Sequence, residues 1–367
     1  MPRKEPEKLT YAETGVDRTL RARSKNALSI LDRTYRFSRH GFVVKLPYGN
    51  IFPVTSDLYL DLVIEEIGTK VLIAQLADKY DTIGIDGIAM AVNDVIRSGA
   101  RPLALADNIH THVSDPSLVS QWMKGIVKGA EEAECIVPSG EIGDVPDLIR
   151  GVVEGKGFDM IFASVGEVQR RDIVYGNSLR PGDIVIGLPS SGIHSNGVSL
   201  ARRVLLKQWG GAYEPFDVPE GFDREVIFEL LEPTRIYVKP VLNLAESRQA
   251  KVKAMVHITG DAYTKFDKLM HLNPGIGFEF NNFNPHPIFG LIQETSKKQR
   301  TPISDDEMFK TFNMGWGFAV VVENAAEDEA IASFKRSGIE ATQIGKVTDS
   351  RQILVKHKSK QILLLAE

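Results

Sequence analysis

Apolar and polar positions alternate with a period of two over Leu58–Ile64 and again over Phe158–Gln169, which predicts strands with one face turned to a core. The period changes to that of a helix over Lys70–Lys79, stopping before Tyr80-Asp81. It does so again over Asp86–Ser98, where Gly99 follows as a C-terminal cap. Asp86 is expected as the N-cap of that second helix, and Asn93, seven residues on, shares its face. Asp115 followed by Pro116 predicts the start of a helix reaching Ala133, since proline suits the first turn and aspartate accepts from its free N–H groups. Short apolar runs at Pro102–Ala106 and Cys135–Val137 read as strands. The first delivers Asp107, and the second ends in Pro138-Ser139-Gly140-Glu141.

The turn Arg180-Pro181-Gly182-Asp183 opens a second region. Strands are expected at Ile184–Leu188, Val252–Val256, Phe318–Val322 and Thr342–Val347, and helices at Val198–Leu206, Thr234–Leu244 and Ala326–Ser337, the last stopping at Gly338. Alternating strands and helices predict an α/β protein built in layers. A chain of 367 residues exceeds one ordinary hydrophobic core, so two domains are expected, residues 1–175 and 176–367. Residues 1–50, charged and weakly periodic, read as a partly mobile arm.

The net charge of −4 supplies no bulk field for nucleic acid or an anionic membrane, so any phosphate has to be held locally. No apolar run approaches the ~18 residues that span a bilayer, and Met1–Lys8 is charged without an apolar core. A soluble cytoplasmic protein is expected. The single cysteine, Cys135, excludes an intrachain disulfide and reads as a buried core thiol. No tandem repeat, Walker A motif or dinucleotide fingerprint is present.

The densest candidate chemistry lies in Gly187-Leu188-Pro189-Ser190-Ser191-Gly192-Ile193-His194-Ser195-Asn196-Gly197, an apolar strand running into small residues that open a helix. Small residues let backbone N–H groups approach an anion, and a helix N-terminus adds its dipole; the pattern predicts a phosphate seat using Ser191, Gly192 and Asn196. His194 lies inside it, an imidazole able to touch phosphate or move a proton. Glu65, Asp86, Asp94, Asp107 and Glu141 recur at strand ends and helix starts, a set of hard oxygen donors that suits Mg²⁺ bridged to ATP phosphates. Asp86 retains its reading as a cap, whereas Asn93-Asp94 sits mid-helix where capping explains nothing. Lys70, after Gly68-Thr69, is read either as neutralising a triphosphate or as a solvated helix lysine. His257, after a strand, is expected to be as exposed as His194. His110 and His112 have strand spacing but no third ligand nearby.

Taken together, the segments Tyr11–Asp17, Gly68-Thr69-Lys70, Tyr80–Asp86, Ala89–Asp94, Gly99–Leu103, Ser190–Gly197, Pro233–Lys239, His257-Ile258-Thr259-Gly260 and Thr311–Gly315 resemble the aminoimidazole ribonucleotide synthetases, also called phosphoribosylformylglycinamidine cyclo-ligases. The resemblance implies an N-terminal domain that binds ATP and dimerises through its sheet, a C-terminal α/β sandwich, and ATP in the cleft between them. It implies ATP-dependent cyclisation of formylglycinamidine ribonucleotide in purine biosynthesis by a homodimer. For this chain it implies His194, His257 and Lys70 in catalysis; Gly68, Thr69, Lys70, Asp86, Asn93, Glu141, Ser191, Gly192 and Asn196 around ATP; and Glu65, Asp94 and Asp107 around Mg²⁺. Four segments depart from the family pattern. Asp-Gly-Val-Gly-Thr-Lys becomes Glu65-Glu66-Ile67-Gly68-Thr69-Lys70, so the metal-binding aspartate is one methylene longer. The glycine-rich stretch before it is reduced to Gly41 and Gly49. Ser139-Gly140-Glu141-Ile142-Gly143-Asp144-Val145 keeps its glutamate but lacks a threonine, and Gly260-Asp261-Ala262 replaces three glycines. A kinase acting on another small molecule and a non-catalytic nucleotide-binding paralogue are the competing readings.

Overall fold

The alternating segment after Ser56 becomes an inner strand of a six-stranded sheet. In the computed structural model, which describes residues 8–366, this sheet contains β1 (Val44–Leu46), β2 (Gly49–Pro53), β3 (Leu58–Glu66), β4 (Arg101–Thr111), β5 (Ile136–Asp144) and β6 (Phe158–Gln169). Their order is β1-β2-β3-β6-β4-β5, with only β4 and β5 parallel. The first residues of the expected arm, Met1–Glu7, lie outside the described residues. The described part of the arm holds α1 (Arg18–Lys25) and 3₁₀ turns over Asn26–Phe37, none of it buried. It is tied down by Arg18, which reaches Glu307 at 3.0 Å and the Lys310 carbonyl at 2.9 Å.

Helix α2 (Lys70–Ala77) follows β3, and α3 (Ile83–Val95) packs on one face of the sheet with α4 (Pro116–Ala133) over it. Glycines set this spacing: a Cβ on Gly84 would stand 2.4 Å from the Ile126 nitrogen, and one on Gly87 would meet the Phe162 ring at 2.0 Å. The Asp115 carboxylate caps α4 by accepting from the Ser117 and Leu118 N–H groups, as the Asp-Pro pair predicts. On the opposite face of the sheet, Leu62, Ile64 and Ile136 are 62 %, 69 % and 64 % exposed.

The second sheet has seven strands: β7 (Ile184–Pro189), β8 (Val252–His257), β9 (Gly277–Phe280), β10 (Trp316–Val322), β11 (Thr342–Thr348), β12 (Gln352–His357) and β13 (Lys360–Ala366). They run in the order β13-β12-β9-β11-β7-β10-β8. Around it lie α5 (Val198–Leu205), α6 (Val226–Leu231), α7 (Val238–Ser247), α8 (Asp267–Leu272), α9 (Pro287–Lys298), α10 (Asp305–Thr311) and α11 (Glu327–Arg336). Every residue of β10 is buried.

Several expected boundaries move. Helix α3 begins at Ile83 with Thr82 before it, so Asp86 is a first-turn residue and not the N-cap. The strands expected at Pro102–Ala106 and Cys135–Val137 run on to Thr111 and Asp144. Pro138 is tolerated because β5 is an edge strand with no neighbour on one side. Cys135 precedes β5 half-buried, with its thiol pushed up to about 11 by burial. The helix expected from Thr234 starts only at Val238, because the chain before it stays extended to bond across to α3.

Candidate active site

Asp86 and Asn93 share one face of α3, and that face meets the second domain. One oxygen of Asp86, Oδ1, accepts from Lys70 Nζ (2.8 Å), the Thr234 N–H (2.8 Å), the Thr234 hydroxyl (2.6 Å) and the Ser195 hydroxyl (3.1 Å). The other, Oδ2, is buried with no partner in the protein. Lys70 also donates to the Glu232 carbonyl, and both members of the ion pair are fully buried. Lys70 is therefore not a solvated lysine; burial lowers its pKa and Asp86 opposes the shift. Asn93 accepts from the Tyr237 N–H and donates to the Arg235 carbonyl, each at 2.9 Å.

The Ser190–Gly197 loop lies against the same seam. The Ser190 N–H donates to the Gly315 carbonyl and the Asn313 amide to the Gly192 carbonyl, each at 2.9 Å. The Ser191 hydroxyl donates to the Pro233 carbonyl. Gly197, at the head of α5, has φ +75°, and a Cβ there would meet Phe312 at 2.4 Å. Asn196 lies over Met90 of α3, and the Thr69 and Ser199 hydroxyls meet at 2.9 Å across the seam.

His194 is fully buried beneath this loop, correcting the expectation of an accessible imidazole. It has φ +60°, and its Nε2 accepts from the Ser191 N–H at 3.1 Å, which puts the ring proton on Nδ1, an atom without a protein partner. Burial, then the cations around it, hold its pKa well below the ordinary value. His257 is likewise buried, not exposed. Its Nδ1 donates to Asp94 Oδ1 at 2.7 Å, leaving Nε2 unpartnered, and burial lowers the ring to about 4 despite that carboxylate.

Asp94 also holds Arg97 through Oδ2 at 2.7 Å. Burial opposes its ionisation, but Arg97 and the His257 hydrogen bond win and hold the carboxyl well below the usual range. Glu65 faces it, and burial followed by the Asp94 charge pushes Glu65 up to about 8. Thus Glu65 and Asp94 converge. Asp107 shares their sheet face in the row Glu65-Phe162-Asp107 but is two strands from Glu65, about 10 Å at the 4.7–4.9 Å strand spacing. Its carboxyl is pushed up by burial. Glu141 itself is exposed on the edge strand. Among the described residues no three His, Cys, Asp or Glu side chains form one metal-binding group, which also leaves His110 and His112 without a site.

Sequence reasoning missed Ser195, Thr234 and Lys265, whose roles depend on contacts distant in sequence, and Arg97, which the Asp94–Arg97 (i,i+3) spacing could have shown. Lys265 donates to the His257 carbonyl at 3.1 Å. Asp261 and Ala262 keep left-handed backbone, φ +67° and +39°, where the family pattern has glycines.

A family model described as AIR synthase related protein, N-terminal domain, matches residues 50–168, and its C-terminal counterpart matches 180–358. The chain is thus an AIR synthase related protein of two domains. A phosphoribosylformylglycinamidine cyclo-ligase of Methanocaldococcus jannaschii is 38 % identical over 320 residues, covering 84 % of this chain and 86 % of that one. The same-named protein of Thermococcus kodakarensis is 37 % identical over 354 residues, covering 95 % and 98 %. At this identity and coverage the chain belongs to the phosphoribosylformylglycinamidine cyclo-ligase family. The solved structure of hydrogenase maturation protein HypE in complex with ATP superposes with TM-score 0.58 at 16 % identity, over 86 % of this chain and 87 % of that one. T. maritima PurL complexed with ATP gives TM-score 0.56 at 13 % identity, this chain spanning 44 % of it. These two likenesses concern the fold.

Proposed function

We propose that the chain phosphorylates the amide oxygen of formylglycinamidine ribonucleotide with ATP and closes the ring to aminoimidazole ribonucleotide. An amide oxygen leaves poorly; as phosphate it leaves well. The γ-phosphoryl group moves to that oxygen and ADP departs; an amidine nitrogen then attacks the same carbon, the C–O bond breaks, and phosphate carries the oxygen away. The attacking nitrogen loses one proton. The observation that carries this reading is the convergence at one seam of the Ser190–Gly197 loop, the buried Lys70–Asp86 pair and the Glu65–Asp94 pair. The cyclo-ligase relatives and the ATP complexes of two proteins of the same fold support it.

Two hard oxygen donors, Asp94 and a Glu65 whose carboxyl is pushed up to about 8 by burial and then by the Asp94 charge, fit Mg²⁺ shared with nucleotide phosphates. Glu65 and Asp94 are the residues that would hold it, with Asp107 on the same sheet face about 10 Å from Glu65. Bound there, Mg²⁺ neutralises charge on the phosphates being transferred. The loop orients phosphate through N–H groups other than those of Ser190 and Ser191, which are donated within the protein, and Asn93 and Asp86 keep the domains in register around it.

The chain is further read as a homodimer working in the cytoplasm. The apolar outer face of the first sheet supports the dimer, and the absence of any helix long and apolar enough to cross a membrane among the described residues agrees with the compartment. An assay coupling ADP release to added formylglycinamidine ribonucleotide tests the activity. Substrate-dependent ADP is expected; ATP binding without it overturns the reading in favour of a non-catalytic nucleotide-binding protein.

A further inference from the structure

The second domain contains a cavity of about 300 Å³ between α9, α10 and the β12–β13 hairpin, with none of the Asp86 seam residues in its lining. Its floor is apolar, with Phe289, Met308, Phe309 and Met314 all buried. Its rim is cationic. Lys360 is paired with Asp305 at 2.6 Å, whereas Lys297 and Lys358 form no ion pair among the described residues. His357 lies edge-on to Phe309 with ring centroids 5.5 Å apart, adding a flat ring to the wall. The cavity thus joins a positive surplus to an aromatic and apolar lining.

Backbone strain marks the same place. His357 pairs with Lys360, so Lys358-Ser359 is a two-residue hairpin turn, and both residues have positive φ, +48° and +62°. Such turns favour Asn-Gly, and neither residue here has that freedom. Met314, on the cavity floor, is also left-handed at φ +50°. Strained non-glycine residues persist where surrounding structure or a ligand contact holds them, and they cluster at ligand clamps. The turn brings the Lys358 side chain to the cavity.

The wall of this cavity is also the back of the phosphate loop. His286, on the cavity wall, donates from Nε2 to the Ser190 carbonyl at 2.9 Å. The Ser190 N–H donates to the carbonyl of Gly315, next to Met314. Ser190 is therefore gripped from two sides by chain that lines the cavity.

We propose that this cavity is a second ligand site for a nucleoside monophosphate, and that its occupancy is transmitted through His286 to the Ser190–Gly197 loop. Lys297 and Lys358 take the phosphate, and the base lies against the Phe309–His357 wall. The size fits, since pockets for small ligands start at about 300 Å³. Transmission, unlike binding, rests on the cyclo-ligase reading.

The test uses the whole chain with AMP as probe and the ATP site saturated by a non-hydrolysable ATP analogue. One AMP per chain is expected to bind still, more tightly than inorganic phosphate. The double substitution Lys297→Glu, Lys358→Glu should weaken AMP at least tenfold while turnover without AMP stays ordinary. AMP should alter wild-type turnover, and His286→Ala should keep AMP binding but lose that response. Displacement of AMP by the ATP analogue, equal binding of phosphate and AMP, or undiminished binding by the double variant overturns the site. An unchanged response in His286→Ala overturns the transmission. Wild-type turnover without AMP reports on the cyclo-ligase reading alone.

Discussion

A single oxygen of Asp86 accepts four donors drawn from both domains, one of them the fully buried ammonium of Lys70. Removing one member of a buried pair leaves an uncompensated charge, which costs about 3–5 kcal/mol. Asp86→Asn is accordingly expected to lower unfolding free energy by that order, and a denaturant midpoint close to wild type would remove Asp86 from the joint. Asp94→Asn preserves shape and removes the charge opposite Glu65; turnover should fall about 100-fold or more, with a higher Mg²⁺ requirement. Ordinary turnover at unchanged Mg²⁺ dependence would take Asp94 out of the site. His194 is held neutral in the folded chain, below its ordinary value of 6.5. The unfolded chain therefore binds more protons below pH 6.5, so stability rises with pH up to that point and His194 adds no slope above it. His194→Gln should flatten this acid limb by up to ~1.4 kcal/mol per pH unit. It should also raise KM for ATP by loosening Ser191. A loss confined to kcat, with the acid limb intact, would instead put the imidazole on the reacting atoms.

At the scale of elements, what could be read in advance was what has a two-sided environment. Strands β3 and β6 alternate because one face packs on α3, and α4 carries both an Asp-Pro start and a regular apolar stripe. The hairpin β12–β13 was not foreseen, since its turn is Lys358-Ser359 and lacks the Asn-Gly signal of such turns. Pro138 misleads, since the strand expected to stop before it continues to Asp144, while the strand expected over Pro102–Ala106 runs on to Thr111 with no local signal for its length. The extended stretch before Tyr237 was read as helix because its partners, the side chains of Asp86 and Asn93, lie more than a hundred residues away. The loop of small residues, Lys70 and the Asn93-Asp94 pair stand out in the sequence as candidates, and the structure brings all of them to the seam between the domains. The burial of His194 and His257 is not legible there, because it comes from contacts distant in sequence: Tyr237 and Gly317 around His194, Phe318 and Asp94 around His257.

For the whole molecule, the outer face of the first sheet decides assembly. Leu62, Ile64 and Ile136 stand together exposed, and apolar sheet surface of this kind marks an interaction site. Wild type is expected to sediment at twice the 40.6 kDa chain mass and Ile64→Lys at the chain mass. A wild-type monomer at micromolar concentration would contradict the dimer. If ATP activates the amide oxygen of the substrate, that atom must leave with the phosphate, and its fate can be followed. With formylglycinamidine ribonucleotide carrying ¹⁸O in its amide, the label is predicted in the released phosphate, one atom per ring closed. Label appearing in water, or ADP released with unlabelled phosphate, would contradict it.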